Sequence, residues 1–168
     1  MVEVTGQELN LFERAGYFIR RRWVPVEVRG AIAAQTEGLI HTIAEDLLGA
    51  SILREQWIAE GSQGFVAEEW AEREGGGKVQ RPGGHELGVD IVSAGVYELA
   101  VVPGSHGVHS RTGDSAQDWE GRVCITLADG DAFFFNPAVL RRVLRAEGTI
   151  RRYRFVALVC AEAFGYPS

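Results

Sequence analysis

The spacing of apolar residues changes at Gly49, and that change bounds the folds open to this chain. Before it, Val28, Ile32, Gln35, Leu39, Ile43 and Leu47 recur at helical spacing, with Pro25 suited to a first helical position and Gly49 to the stop. After it the period falls to two. Short apolar runs at 51–58, 63–69, 87–93, 96–102, 121–127, 131–135 and 149–160 are separated by Gly, Pro, Asp and Ser, the pattern of a small antiparallel barrel or sandwich. Nearer the amino terminus, Thr5-Gly6-Gln7-Glu8 forms a capping box that predicts a helix to about Ala15, stopped at Gly16, and then a strand from Phe18 to Trp23. Helices first and strands afterwards predict an α+β, mostly β, layout with the helices on one outer face.

A chain of 168 residues with 24% charged side chains suits one domain, 1–168, around a single core. Its net charge is −6 and its basic residues are scattered among acids, so it lacks the electrostatic footprint of a nucleic-acid partner. Cys124 and Cys160 lie in apolar runs and outside any Cys-x-x-Cys pair, which predicts two reduced core thiols. No cationic leader precedes an apolar run, and no stretch approaches membrane-spanning length. The expectation is a cytoplasmic protein with no membrane partner, whose exposed strand edges leave room for a homodimer.

The most specific signal is a pair of segments. Leu99-Ala100-Val101-Val102-Pro103-Gly104-Ser105-His106 is followed, 25 residues after His106, by Asp131-Ala132-Phe133-Phe134-Phe135-Asn136-Pro137. Together these resemble the phytanoyl-CoA dioxygenase family, and Phe12-Glu13-Arg14-Ala15-Gly16-Tyr17, Val24-Pro25 and Arg151-Arg152-Tyr153 resemble that family's entry and last strand. Between Leu48 and Trp70 the chain is shorter than the family pattern. The resemblance implies a double-stranded β-helix, a cupin-like jelly-roll barrel, with a helical entry over about 5–48 and barrel strands over about 51–162. It also implies Fe(II) and 2-oxoglutarate chemistry, with iron held by a His-x-Asp pair and a distant His.

The residues themselves depart from that metal site. A His and a carboxylate must stand at i and i+2 on an extended segment to face the same way. The histidines read His41-Thr42-Ile43, His85-Glu86-Leu87, His106-Gly107-Val108 and His109-Ser110-Arg111, and none supplies the pair. By the resemblance, Ala71 and Arg73 of Trp70-Ala71-Glu72-Arg73 stand in the paired ligand positions and Arg141 in that of the distal His. Arginine stays charged and would repel iron, so no cofactor is expected.

Three sets of candidates follow. Glu72, Arg73 and Arg141 are grouped around the former iron cavity by the resemblance, as catalytic residues that bind or polarise an anion. In the alternative reading, the arginines fill a vacated polar hole by pairing with Glu69 or Glu72. Arg152, with Arg151 as its neighbour, corresponds in the resemblance to the anchor of the far carboxylate of 2-oxoglutarate, and strand alternation lets one of the two point inward. Tyr97, Tyr153 and Asp90 could exchange protons in the cavity or form its wall and rim. His85 and His106 are further substrate-binding candidates, and His106-x-x-His109 with Asp114 sketches a displaced metal site, although His106 equally suits a turn-ordering role. The glycine-rich segment 73–84, with five glycines, reads as a lid or plain loop, since it lacks a Walker or dinucleotide pattern. Ser105 lacks a nucleophile elbow and neither cysteine has a neighbouring base.

Three functions remain open at this level. One is a metal-independent cyclase, isomerase or lyase of a biosynthetic pathway, acting on an anionic or enolisable small molecule. Another is a non-catalytic ligand- or partner-binding relative, and the third an Fe(II)/2-oxoglutarate dioxygenase with displaced ligands.

Overall fold

The structure, a computed structural model, describes residues 4–25, 34–48, 53–60, 86–107 and 121–157. In chain order these form α1 (Gly6–Ala15), β1 (Tyr17–Arg20), α2 (Ala34–Leu48), β2 (Leu53–Glu60), β3 (Glu86–Val101), a 3-10 turn (Ser105–Gly107), β4 (Val123–Ala128), β5 (Ala132–Phe135) and β6 (Arg141–Ala157). The expected strand at 63–69 and the first turns of the longer helix lie outside the described residues.

The capping box at α1 is present, with the Glu8 amide donating to Thr5 Oγ1 and the Thr5 amide donating to Glu8. Glu8 also receives Arg20 at 2.8 Å, which holds its carboxyl below the usual range and ties the helix to β1. β1 ends at Arg20, short of the expected Trp23. Arg22 there takes a left-handed φ of 49°, and Asp131 accepts hydrogen bonds from its amide and from Arg21. In α2 the buried stripe is Ile40, Ile43, Ala44 and Leu48, while Leu39 is 36% exposed. Helical spacing permits either neighbouring stripe, and docking against the sheet selects the one displaced by a residue.

Among the described residues the sheet has six strands, in the order β1-β5-β3-β6-β2, with β4 also on β3. Every pairing is antiparallel. β3 merges two of the runs expected as separate strands; β6 starts at Arg141, ahead of its expected start at 149. Its first half reads as polar because it carries Arg141, Arg142, Arg145 and Glu147, the last two of which face solvent. On β4, Ile125 and Leu127 point inward while Cys124 is exposed. The prediction of a core thiol at Cys124 is therefore corrected: strand alternation places it out of phase with the buried residues. Cys160 lies outside the described residues.

β3 and β6 pair along almost their whole length, and the ladder is interrupted twice. Ser93 is an extra residue on β3 between the Val92↔Ile150 and Ala94↔Thr149 pairs; Leu144 is an extra residue on β6 between Glu98↔Arg145 and Leu99↔Val143. Such bulges bend a strand and reverse the phase of its side chains. Between them Gly95 faces Gly148, both at positive φ, where a side chain on either would run into the other strand's backbone. The result is a curled, mostly β architecture with two packed faces. Outside, Phe12, Phe18, Ile43, Val89, Phe134 and Phe155 pack with the helices. Inside the curl lie Tyr97, Leu99, Val101, Phe133, Phe135 and Val143. The helices thus cover one outer face, as the element order predicts.

Two outcomes test this packing. A Cβ at Gly88 would collide with the Phe135 ring, so Gly88→Ala should cost about 1–3 kcal/mol in urea unfolding, and markedly less in a Phe135→Leu background. Burial pushes the Asp131 carboxyl up, but hydrogen bonds from the amides of Ala128 and Arg22 and from Arg21 outweigh it and hold the group below its ordinary value. Its stabilising effect is complete above the unfolded carboxylate value of about 4 and is lost as pH falls through the lower folded value. Urea midpoints of the wild type and Asp131→Asn should therefore differ near neutral pH and converge in strong acid.

Candidate functional site

The inner face of the curl carries a polar cluster in an aromatic setting. Asp90 and Arg152 are cross-strand partners on β3 and β6 and meet as a fork, Arg152 Nε donating to Oδ1 at 2.6 Å and Nη2 to Oδ2 at 2.8 Å. Tyr97 donates its hydroxyl to Oδ2 at 2.9 Å and accepts from Arg152 Nη2 at 3.3 Å. The Asp90 side chain is 0% exposed and that of Arg152 15%. Burial, reinforced by the Asp90 charge and opposed by Arg152, pushes the Tyr97 phenol far above its ordinary value, so it stays protonated and serves as a donor.

Asp90 and Tyr97 are seven residues apart, an odd spacing that would put them on opposite faces of a regular strand. The Ser93 bulge restores them to one face. Arg141 and Arg152 are eleven apart, again odd, and the Leu144 bulge does the same for them. Arg141 opposes Val101 across the ladder and lays its guanidinium 4.5 Å from the Phe135 ring centroid, while that of Arg152 stands 5.6 Å from the same ring. Nη1 of Arg141 donates to the Pro137 carbonyl at 3.1 Å, which fixes the plane of the group. Two cations thus share one ring, one of them forked to a carboxylate.

Of the predicted site residues, the structure brings together Arg141, Arg152 and Tyr97, and adds Phe135. Arg151 opposes Ile91 and projects from the helix-packed face, so Arg152 is the inward member of the pair; Tyr153 is buried on that same helix-packed face, one residue out of phase with Arg152, and the expectation that it serves the cavity is corrected. His106 is directed away from the interior: its Nε2 donates to the Glu13 carbonyl at 2.9 Å and its ring abuts Gly16 at the end of α1. Ser105 Oγ donates to the Val102 carbonyl and accepts from the Leu140 amide, so the Pro-Gly-Ser-His turn joins α1 to the start of β6. Glu69, Glu72, Arg73, His85, His109 and Asp114 lie outside the described residues. Phe135 went unnoticed in the sequence because its signal is structural: glycine at 88 makes room for a ring that collects both arginines.

The fold and this interior define a cupin-like class, a mostly β protein with a curled antiparallel sheet and two outer helices. Solved structures share that fold. The non-heme alpha-ketoglutarate dependent epimerase SnoN from nogalamycin biosynthesis is similar with a TM-score of 0.59 at 15% identity, over 90% of this chain and 82% of that one. The carbocyclase SnoK of the same pathway gives 0.53 at 16%, over 92% and 83%. HygX from Streptomyces hygroscopicus, solved with nickel and 2-oxoglutarate bound, gives 0.61 at 9%, over 92% and 87%. No family model and no curated protein matches the chain. At these identities the likeness establishes the fold.

Among the described residues, the interior offers no ligand set for the metal held in the HygX structures. Arg141 has no lone pair to offer a metal. Both oxygens of Asp90 are engaged by Arg152 and Tyr97, and no group of three metal-ligating side chains occurs among the described residues. No described helix is long and apolar enough to cross a membrane.

Arg152→Met would strand the Asp90 carboxylate in the interior. It should cost about 3–5 kcal/mol in equilibrium unfolding, and Asp90→Asn added to it should recover most of that loss.

Proposed function

We propose that this chain is a small-molecule enzyme of a biosynthetic pathway, a cyclase, isomerase or lyase that uses fixed positive charge where its fold neighbours hold a metal. The observation that carries this reading is Arg141, a part-buried guanidinium set on the inner face over Phe135 and fixed by the Pro137 carbonyl. A preoriented cation in a site of low polarity stabilises negative charge as it develops, as on an enolate or carboxylate oxygen, and requires little reorganisation during the reaction. The neighbours named above support the reading to this extent: proteins of this fold include an epimerase and a carbocyclase of a biosynthetic pathway, both of them non-heme and alpha-ketoglutarate dependent. In this reading the chain is a shortened member of the phytanoyl-CoA dioxygenase group on a double-stranded β-helix. Glu72 and Arg73 then complete the catalytic set with Arg141, Glu72 as the base that takes the substrate proton and Arg73 as a second cation. Tyr97 and Arg152 line the substrate cavity, and the substrate is an anionic or enolisable small molecule taken up in the cytoplasm.

A second reading, a non-catalytic binding protein, draws on the Asp90–Arg152–Tyr97 group, whose donors and acceptors already satisfy one another. One set of measurements separates the readings. Once an anionic substrate has been found by thermal-shift screening, Arg141→Met should keep the fold within about 1–2 kcal/mol and lower turnover at least about 100-fold. Substoichiometric iron after anaerobic reconstitution with Fe(II) should accompany it. Unchanged turnover in Arg141→Met refutes the catalytic role, and one-to-one iron with succinate release restores the oxygenase.

A further inference from the structure

We propose that Asp90 is a built-in carboxylate ligand that closes the Arg152 fork, so that the protein recruits no carboxylate co-substrate through this arginine. Three donor contacts converge on the Asp90 carboxylate: Nε and Nη2 of Arg152 at 2.6 and 2.8 Å and the Tyr97 hydroxyl at 2.9 Å. Two parallel guanidinium bonds and a phenol are the full reception a small free carboxylate would receive from these groups. The site is also shaped for one. Gly88 on one side has no side chain, Phe135 lies against it, and the Asp90 side chain is completely buried. The fork is therefore assembled, desolvated and filled by the chain itself.

An exogenous carboxylate would have to expel Asp90 from Arg152. Expulsion would leave a second anion in the same dry space, deprived of its cation, while the tethered carboxylate competes at a high effective concentration. Both effects oppose exchange. The converse also follows. Shortening residue 90 to glycine leaves Arg152 and Tyr97 facing a space of carboxymethyl size, which a formate or acetate ion can refill. This inference concerns Arg152 alone and holds whether or not Arg141 is catalytic.

Thermal melts of the whole chain in acetate, succinate and 2-oxoglutarate, each against sodium chloride at matched ionic strength, provide the test. The wild type should show no saturable rise in Tm that depends on Arg152. Asp90→Gly should melt lower in chloride and recover about 5 °C, saturably, in acetate, and Asp90→Gly combined with Arg152→Met should lose that response. A rise in the wild type that Arg152→Met keeps and Arg141→Met abolishes places the anion at Arg141 and supports a closed fork. A saturable wild-type rise with succinate or 2-oxoglutarate that Arg152→Met abolishes overturns the proposal, as does a folded Asp90→Gly protein indifferent to acetate. Should Asp90→Gly fail to fold in chloride, folding restored by acetate supports the proposal. If it folds in neither, the wild-type titration decides, with absence of an Arg152-dependent rise in support and its presence against.

Discussion

The pairing of β3 with β6 is the constraint on which the rest of the interior depends. These strands run side by side from Glu86↔Val156 to Val101↔Arg141, and the other strands attach to one or the other of them or to β5. A ladder this long would twist without closing if it were regular. Two bulges on opposite strands, with facing glycines between them, let it curl while keeping most backbone groups paired. The curl makes an inside and an outside, and the helices dock on the outside because Val89, Phe134 and Phe155 present an apolar surface there.

Each bulge also changes chemistry. A reversal of phase at Ser93 turns Tyr97 toward Asp90, and a reversal at Leu144 turns Arg141 toward the face that already holds Arg152. The same two irregularities that bend the sheet therefore gather its polar side chains. Desolvation of a carboxylate and a guanidinium together costs several kcal/mol, and the two fork bonds and the phenol must offset it. Tyr97 helps by remaining a donor, since burial beside an anion disfavours its ionised form.

Around this group the chain is fastened by backbone contacts. The Gly104 amide donates to the Ala15 carbonyl and the Asn136 amide to the Gly16 carbonyl, so both resemblance segments meet at the end of α1. His106 closes the same corner through Glu13. These segments thus hold together the frame outside the inner cluster.

Local patterns were legible wherever the physics is local. The Thr5–Glu8 capping box, the stop at Gly16, the helical period of residues 39–48 and the period of two afterwards follow from hydrogen bonding and burial within a few residues, and each is found. Arg141 and Arg152 could be picked out by resemblance, because the turn segments that carry it set their places along the chain. What joins them could not be read, since Asp90 lies 62 residues from Arg152 and faces Tyr97 only through a bulge, which breaks strand alternation where β3 pairs with β6. The choice between Leu39 and Ile40 as the buried row, the exposure of Cys124 and the outward course of Arg151 were likewise decided by what packs opposite. By itself the sequence determined that helices come first and strands follow, and where charge is available; the tertiary structure decided where several strands begin and end and which charges meet, because strand phase depends on bulges and partners supplied by distant parts of the chain.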